Sequence, residues 1–243
     1  MNTREASELG KRIAGLIRAG QPDEAFGLLG PILAERVHFP LLERIGAPIG
    51  AAPLPVANVF LERIAFGKTE GGWVVIGSAL GQQLDRDPAG VFDRCRKYVI
   101  AANVWYTPDI LGERVPGPAL LADFPKALSL LDLWRQDSNR WVRRTVGVAV
   151  HFWAKRSLGK PETSVQAQKL LDFLEPMFEE QDLDAVKGVG WGLKTLGRYY
   201  PDLASDWLAQ VVQYRKRYRA LILRKALTYL PVKQRARIAK AAS

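Results

Sequence analysis

Apolar residues recur at intervals of three and four almost throughout the chain, as at Leu9, Ile13 and Leu16 or Phe26, Leu29, Ile32 and Leu33. That is the period of a helix that buries one face. The pattern breaks at residues 20–22, 50–55, 67–72, 85–88, 116–118 and 159–161 and at Pro201, where Gly, Pro and Asp collect. It therefore predicts helices of about 10 to 20 residues and no strand series. Several ends are legible. Ser138 or Asn139 can cap WVRRTVGVAVHFWAKR, and Asp182 can cap the helix that carries VKGVGWGLKTLGRYY, each through a side-chain oxygen that accepts from the first free N–H groups. Gly159 closes the first of these and Pro201 the second, because proline cannot continue the backbone ladder.

Short antiparallel helices in succession predict an all-α chain, and helical pairs that bury their apolar faces by stacking on neighbouring pairs predict a HEAT-like helical-repeat solenoid, an α-α superhelix with a concave basic groove. Residues 54–101, 122–156 and 164–199 each have the length of one such pair. The expected organisation is a single domain over residues 1–243: capping helices in 1–50, core repeats in 51–230 and a last helix in 231–243. A compact helical bundle is the alternative.

Charge changes this picture by halves. The net charge is +10, yet residues 1–134 hold 14 Lys and Arg against 15 Asp and Glu, while residues 135–243 hold 21 against 10. An excess of this size confined to one half points to a polyanion such as nucleic acid, with a merely solvated surface as the plainer reading. Arg140, Arg143 and Arg144 form one block, and Arg215, Lys216, Arg217 and Arg219 another. No apolar run is long enough to cross a bilayer, and the first residues lack a signal-peptide core, so an intracellular, cytoplasmic protein is expected. With Cys95 as the one cysteine and His38 and His151 as the only histidines, a disulfide, a thiol relay and a Cys/His metal site are excluded, and Cys95 reads as a packed thiol.

Three segments carry candidate chemistry. In VWYTPD, Trp105 and Asp109 stand four residues apart near a helix start; both can face one cleft, or Trp105 packs in the core and Asp109 complements the helix dipole. In RWVRRTV, helical spacing puts Arg140, Arg144 and His151 on one side and Trp141, Val148 and Phe152 on the other. This suggests a cationic face whose guanidinium forks hold phosphate oxygens, against the alternative of a solvated face. In KGVGWGLK, Gly188, Gly190 and Gly192 each cost a helix about 1 kcal/mol relative to Ala, so some backbone must approach closely, from the next helix or from a ligand. Lys187, Trp191, Lys194 and Arg198 share one side of it. The spacing is not that of a phosphate-binding P-loop.

The ordered set VWYTPD, RWVRRTV, VKGVGWGLKTLGRYYPD and LRKAL, over residues 55–230, resembles the AlkD-like DNA alkylation-repair glycosylases, a family with HEAT-like repeats. The resemblance implies Asp109 as catalytic carboxylate and Trp105 and Trp191 as cleft aromatics beside the modified nucleotide. It implies Arg144 as a backbone-binding cation, with Lys187 and Arg224 supporting phosphate binding; Arg140, Arg143 and Lys194 complete the expected DNA-binding set. The implied activity is hydrolysis of the N-glycosidic bond of cationic N3- or N7-alkylated purines in double-stranded DNA, without a deep base-flipping pocket, metal or cofactor, by a monomer associated with the nucleoid when bound. Two departures stand out: Tyr106-Thr107-Pro108 replaces the Trp and acid expected after Trp105, and Lys194 replaces the usual Arg. The alternatives are a catalytically inactive relative that binds DNA structures, and a HEAT-type scaffold for an acidic protein.

Overall fold

The computed structural model describes residues 1–215 and 217–241. Lys216 of the second basic block lies outside the described residues, as do the last two residues. Every regular element among the described residues is helical: α1 (Thr3–Arg18), α2 (Pro22–Ala34), α3 (Phe39–Gly50), α4 (Leu54–Phe66), α5 (Glu70–Gly81), α6 (Pro88–Ala102), α7 (Tyr106–Gly112), α8 (Pro116–Ala122), α9 (Phe124–Asp132), α10 (Arg140–Ser157), α11 (Ser164–Leu174), α12 (Leu183–Tyr199), α13 (Pro201–Tyr214), α14 (Ala220–Ala226) and α15 (Val232–Ala241). Short 3-10 turns at Leu133–Gln136, Pro161–Thr163 and Glu175–Glu179 join some of them.

Local chemistry sets most ends. Asn2 and Glu5 form a reciprocal capping box on α1, and Thr69, Asp87 and Asp123 each accept an orphan N–H at the starts of α5, α6 and α9. Asn139 caps α10 through the Trp141 N–H, and Asp182 caps α12 through Asp184 and Ala185. Beyond α10 the chain turns through left-handed residues, Leu158 at φ 55° and Gly159 at φ 71°. A Cβ at Gly159 would sit 2.5 Å from the Tyr199 carbonyl, so both conformation and space require glycine there. Pro201 ends α12 and opens α13, where its missing N–H leaves no bond unmade.

The helices fall into two compact units, Met1–Val115 and Pro116–Ser243. In the first, α1 packs on α3, α3 on α5 and α5 on α7, around buried Phe60, Leu61, Ile64, Trp73, Ile76 and Leu80. In the second, α8, α10, α12 and α14 form one row of successive neighbours, and α11, α13 and α15 form a row behind. The front row repeats at a HEAT-like interval: α10, α12 and α14 begin at Arg140, Leu183 and Ala220, 43 and then 37 residues apart. Residues 122–156 and 164–199 are helical pairs as expected. Residues 54–101 instead hold three helices, because Asp87 and Pro88 start α6 after a turn. Residues 116–118 begin α8 instead of forming a break, and Gly71 and Gly72 lie inside the first turn of α5. Cys95 is fully buried on α6, and burial pushes its thiol pKa up, as a packed thiol requires. No described helix is long and apolar enough to cross a membrane.

Candidate nucleic-acid interface

In the first unit the candidate residues stand at the start of α7. Arg114, just past that helix, donates to the Ile110 carbonyl (3.0 Å) and to Glu43 on α3 (2.6 Å), so one guanidinium ties the short α7 to α3. Thr107 and Pro108 are the buried members of the motif. Trp105 does not pack in the core. Its side chain is 58% exposed, with its ring edge-on to Tyr106 at 5.8 Å and 82°. Asp109 is half-buried in the first turn of α7, where a carboxylate also complements the helix dipole.

In the second unit, α10 differs from the sequence expectation. Spacing put Arg144 and His151 on a cationic face open to a groove, yet each is only 7% exposed, and Trp141 on the other side is buried as well. The reason lies in the glycines. Gly147 on α10 abuts Gly188 on α12, and a Cβ at Gly192 would lie 2.8 Å from the Gly147 carbonyl. The two helices meet backbone to backbone and α12 covers that side of α10. Gly188 and Gly192 thus admit the neighbouring helix, and Gly190 makes room for the stem of Lys225 on α14, 2.6 Å from the position its Cβ would take. Of the two possibilities left open for this cluster, these glycines face helices of the chain itself.

The three arginines in the first two turns of α10 consequently have three environments. Arg140 is exposed, with Nε 3.6 Å from Asp184 and its guanidinium 4.8 Å from the Trp141 ring centre. Arg143 donates through Nε and Nη2 to Glu180 (2.5 and 3.2 Å) and through Nη1 to the carbonyls of Asp137 (2.6 Å) and Ser138 (3.1 Å). It fastens the turn before α10 to the loop before α12, which is the work of a scaffold residue. Arg144 donates to the Asp184 carbonyl at 3.3 Å. The later basic block is similarly engaged: Arg215 pairs with Glu175 (3.0 Å) and Glu179 (3.3 Å), and Arg219 donates to the Gln181 carbonyl (2.6 Å).

What the front row does gather is a set of cations. Lys187 is exposed and 3.3 Å from Asp184. Lys194 lies over the Tyr229 ring at 4.8 Å, as Arg198 does at 5.2 Å. Arg224 is exposed beside Lys225. The Lys225 ammonium pKa is lowered first by burial and then by four cations, Lys194, Arg144, Lys187 and Arg224. Four residues expected at a phosphate site are thus brought around a fifth that the sequence reading missed. Its signal was the glycine at 190, which a lysine stem 35 residues later requires. Like charges acting on a half-buried lysine raise the energy of the fold. Trp191, on the same helix, stacks on His151 with ring centres 4.0 Å apart and planes at 25°. No group of three or more His, Cys, Asp or Glu among the described residues has the arrangement of a metal site.

An all-α chain of pairwise-packed HEAT-like helices, with cations collected along one row, belongs to the helical-repeat class of proteins. Residues 72–230 match the family model described as DNA alkylation repair enzyme, and the chain is a member of that family. Among solved structures it is similar to the Pseudomonas fluorescens alkylpurine DNA glycosylase AlkC bound to DNA containing an abasic site analog, with a TM-score of 0.53 and 20% identity. The match covers 96% of this chain but 65% of the other, so this chain spans about two thirds of that structure's length. That likeness shows the HEAT-like fold. No curated protein sequence matches the chain.

Proposed function

We propose that the protein is a DNA glycosylase that removes cationic N3- or N7-alkylated purines from duplex DNA without a deep base-flipping pocket. The observation that carries this reading, alongside family membership, is the convergence of Arg144, Lys187, Lys194 and Arg224 on Lys225, which suits the phosphodiester backbone. Arg140 adds an exposed cation to the same row, and Arg143 serves by holding the turn that presents Arg140.

The chemistry asks little of the protein beyond electrostatics. As the C1′–N bond breaks, its electron pair neutralises the positively charged base, leaving an oxocarbenium-like sugar. Water then forms the C1′–O bond and gives up its proton to the solvent. Asp109 stabilises the cationic sugar and orients that water, and the exposed Trp105, four residues before it, contacts the cationic base or its deoxyribose; Trp191 of the second unit is read separately as a nucleotide-facing aromatic. The departing alkylpurine is a good leaving group, so no second carboxylate is needed as general acid.

A DNA-structure-binding relative without chemistry is the second reading, favoured by Tyr106-Thr107-Pro108, the segment that replaces the Trp and acid expected after Trp105 from the family resemblance. The two differ in product. Incubation with methylated duplex DNA should yield free 7-methylguanine and an abasic site, and binding should weaken steeply with salt. Replacing Lys187, Lys194 and Arg224 together by Gln should flatten the plot of log affinity against log salt by about 0.9 for each phosphate that the variant no longer neutralises. Binding without base release supports the second reading, and a salt slope unmoved by the triple change removes the phosphate assignment.

A further inference from the structure

One turn before Trp191 on its own helix stands Gly188, which offers the indole no side chain to pack against. The brace comes from α10. The His151 ring lies flat against the indole at 4.0 Å and 25°, and it is itself almost fully buried. Its Nδ1 is 2.7 Å from the Thr195 Oγ1, and that hydroxyl is 2.9 Å from the carbonyl of Trp191. A hydroxyl has one proton to give. With that proton donated to the Trp191 carbonyl, Oγ1 accepts from Nδ1–H, so Nδ1 carries an imidazole proton.

We propose that His151 is a positioning residue for Trp191: tied to Thr195, it clamps one face of the indole so that the other is presented to the cationic nucleotide. This rests on the reading of Trp191 as a nucleotide-facing aromatic. The imidazole must be neutral for the arrangement to serve a cationic lesion, because an imidazolium on one face would draw on the same π density that the lesion uses on the other. Burial, then the nearby charges of Lys155 and Lys194, lower the His151 pKa to about 4, so it is uncharged at neutral pH. Phenylalanine would supply a similar flat neutral surface, and alanine none.

The test uses full-length protein carrying 5-fluorotryptophan, in which the Trp191 line among the seven tryptophans is assigned by its loss in Trp191→Phe. The Trp191 fluorine line should stay narrow in wild type and His151→Phe and broaden or split in His151→Ala. Single-turnover base release should fall about tenfold in His151→Ala, a modest loss for a misaligned contact group, and stay within about threefold of wild type in His151→Phe. Affinity for methylated duplex should stay within about twofold for both, since phosphate contacts dominate it. A Trp191 line as narrow in His151→Ala as in wild type overturns the clamp, as does a His151→Phe variant as impaired as His151→Ala. If wild type itself releases no base, the glycosylase reading fails, and the fluorine line alone decides whether His151 orients Trp191.

Discussion

Gly188→Ala places a single methyl group at the contact that sets the spacing of α10 and α12. Its Cβ would lie 2.5 Å from the Arg144 carbonyl oxygen, 2.7 Å from Arg144 Cγ and 2.9 Å from Arg144 Cα. Ordinary carbon contacts lie at about 3.5–4.0 Å, so α12 has to retreat by about 1 Å. Two of the three obstructing atoms are backbone of a helix that cannot rotate aside. Overpacking of this kind costs about 3 kcal/mol at the upper end of its usual range, while replacing a mid-helix glycine returns about 1 kcal/mol of helix propensity. The expected net loss is about 2 kcal/mol. Gly15→Ala in α1 is the matched control: a Cβ there meets nothing within 4 Å, so only the propensity gain remains, up to about 1 kcal/mol. Urea unfolding of both variants measures the difference through the midpoint, at unchanged slope. The same chemical change should move the midpoint down at position 188 and up at position 15. A Gly188→Ala protein as stable as wild type would refute the backbone-to-backbone contact and the explanation of why Arg144 and His151 are covered.

Two further outcomes follow from titrating groups. The His151 pKa is lowered to about 4 in the folded protein, against about 6.5 in an unfolded chain. Above pH 6.5 neither state holds the proton; as pH falls towards 4 the unfolded chain takes it up and the folded one refuses it. The full stability is therefore present above the unfolded pKa, and about 3 kcal/mol is lost progressively as pH drops through the folded one. The urea midpoint of wild type should fall over that window by more than that of His151→Phe, and equal falls would argue against a neutral buried imidazole. Lys225, whose pKa is lowered by burial and four cations, regains its proton affinity when a phosphodiester sits beside it. DNA affinity at fixed ionic strength should then decline from neutral to alkaline pH, and Lys225→Arg, which stays charged, should flatten that decline. Fluorescence anisotropy measures both, and identical pH profiles would place Lys225 away from the phosphate.

What could be read from the sequence divides along a physical line. The caps at Asn139 and Asp182 and the stop at Pro201 depend on chemistry within a few residues, and helical class and approximate pairing followed from periodicity. Which side of a helix faces a neighbour depends on residues about 40 positions away. Spacing alone put Arg144 and His151 on an open cationic face; Gly147 meeting Gly188 closed that face. Arg143 looked like a phosphate ligand because its partner, Glu180, lies 37 residues ahead. Lys225 was missed for the same reason: nothing in LRKAL tells that its stem lies on Gly190 or that the charges of four cations act on it. Trp105 shows the converse, since a large aromatic near a helix start reads first as core, and its exposure depends on which helices pack beside it.

The central claim is that Asp109 stabilises the cationic sugar as an alkylated purine leaves. Single-turnover release of 7-methylguanine from methylated duplex DNA, measured for wild type and Asp109→Asn with binding followed in parallel, tests it directly. Wild type should release the base, and the variant should bind DNA normally but react about 100-fold or more slowly, the scale of losing one transition-state electrostatic partner. No release by wild type, or release that Asp109→Asn leaves unchanged, would contradict the account.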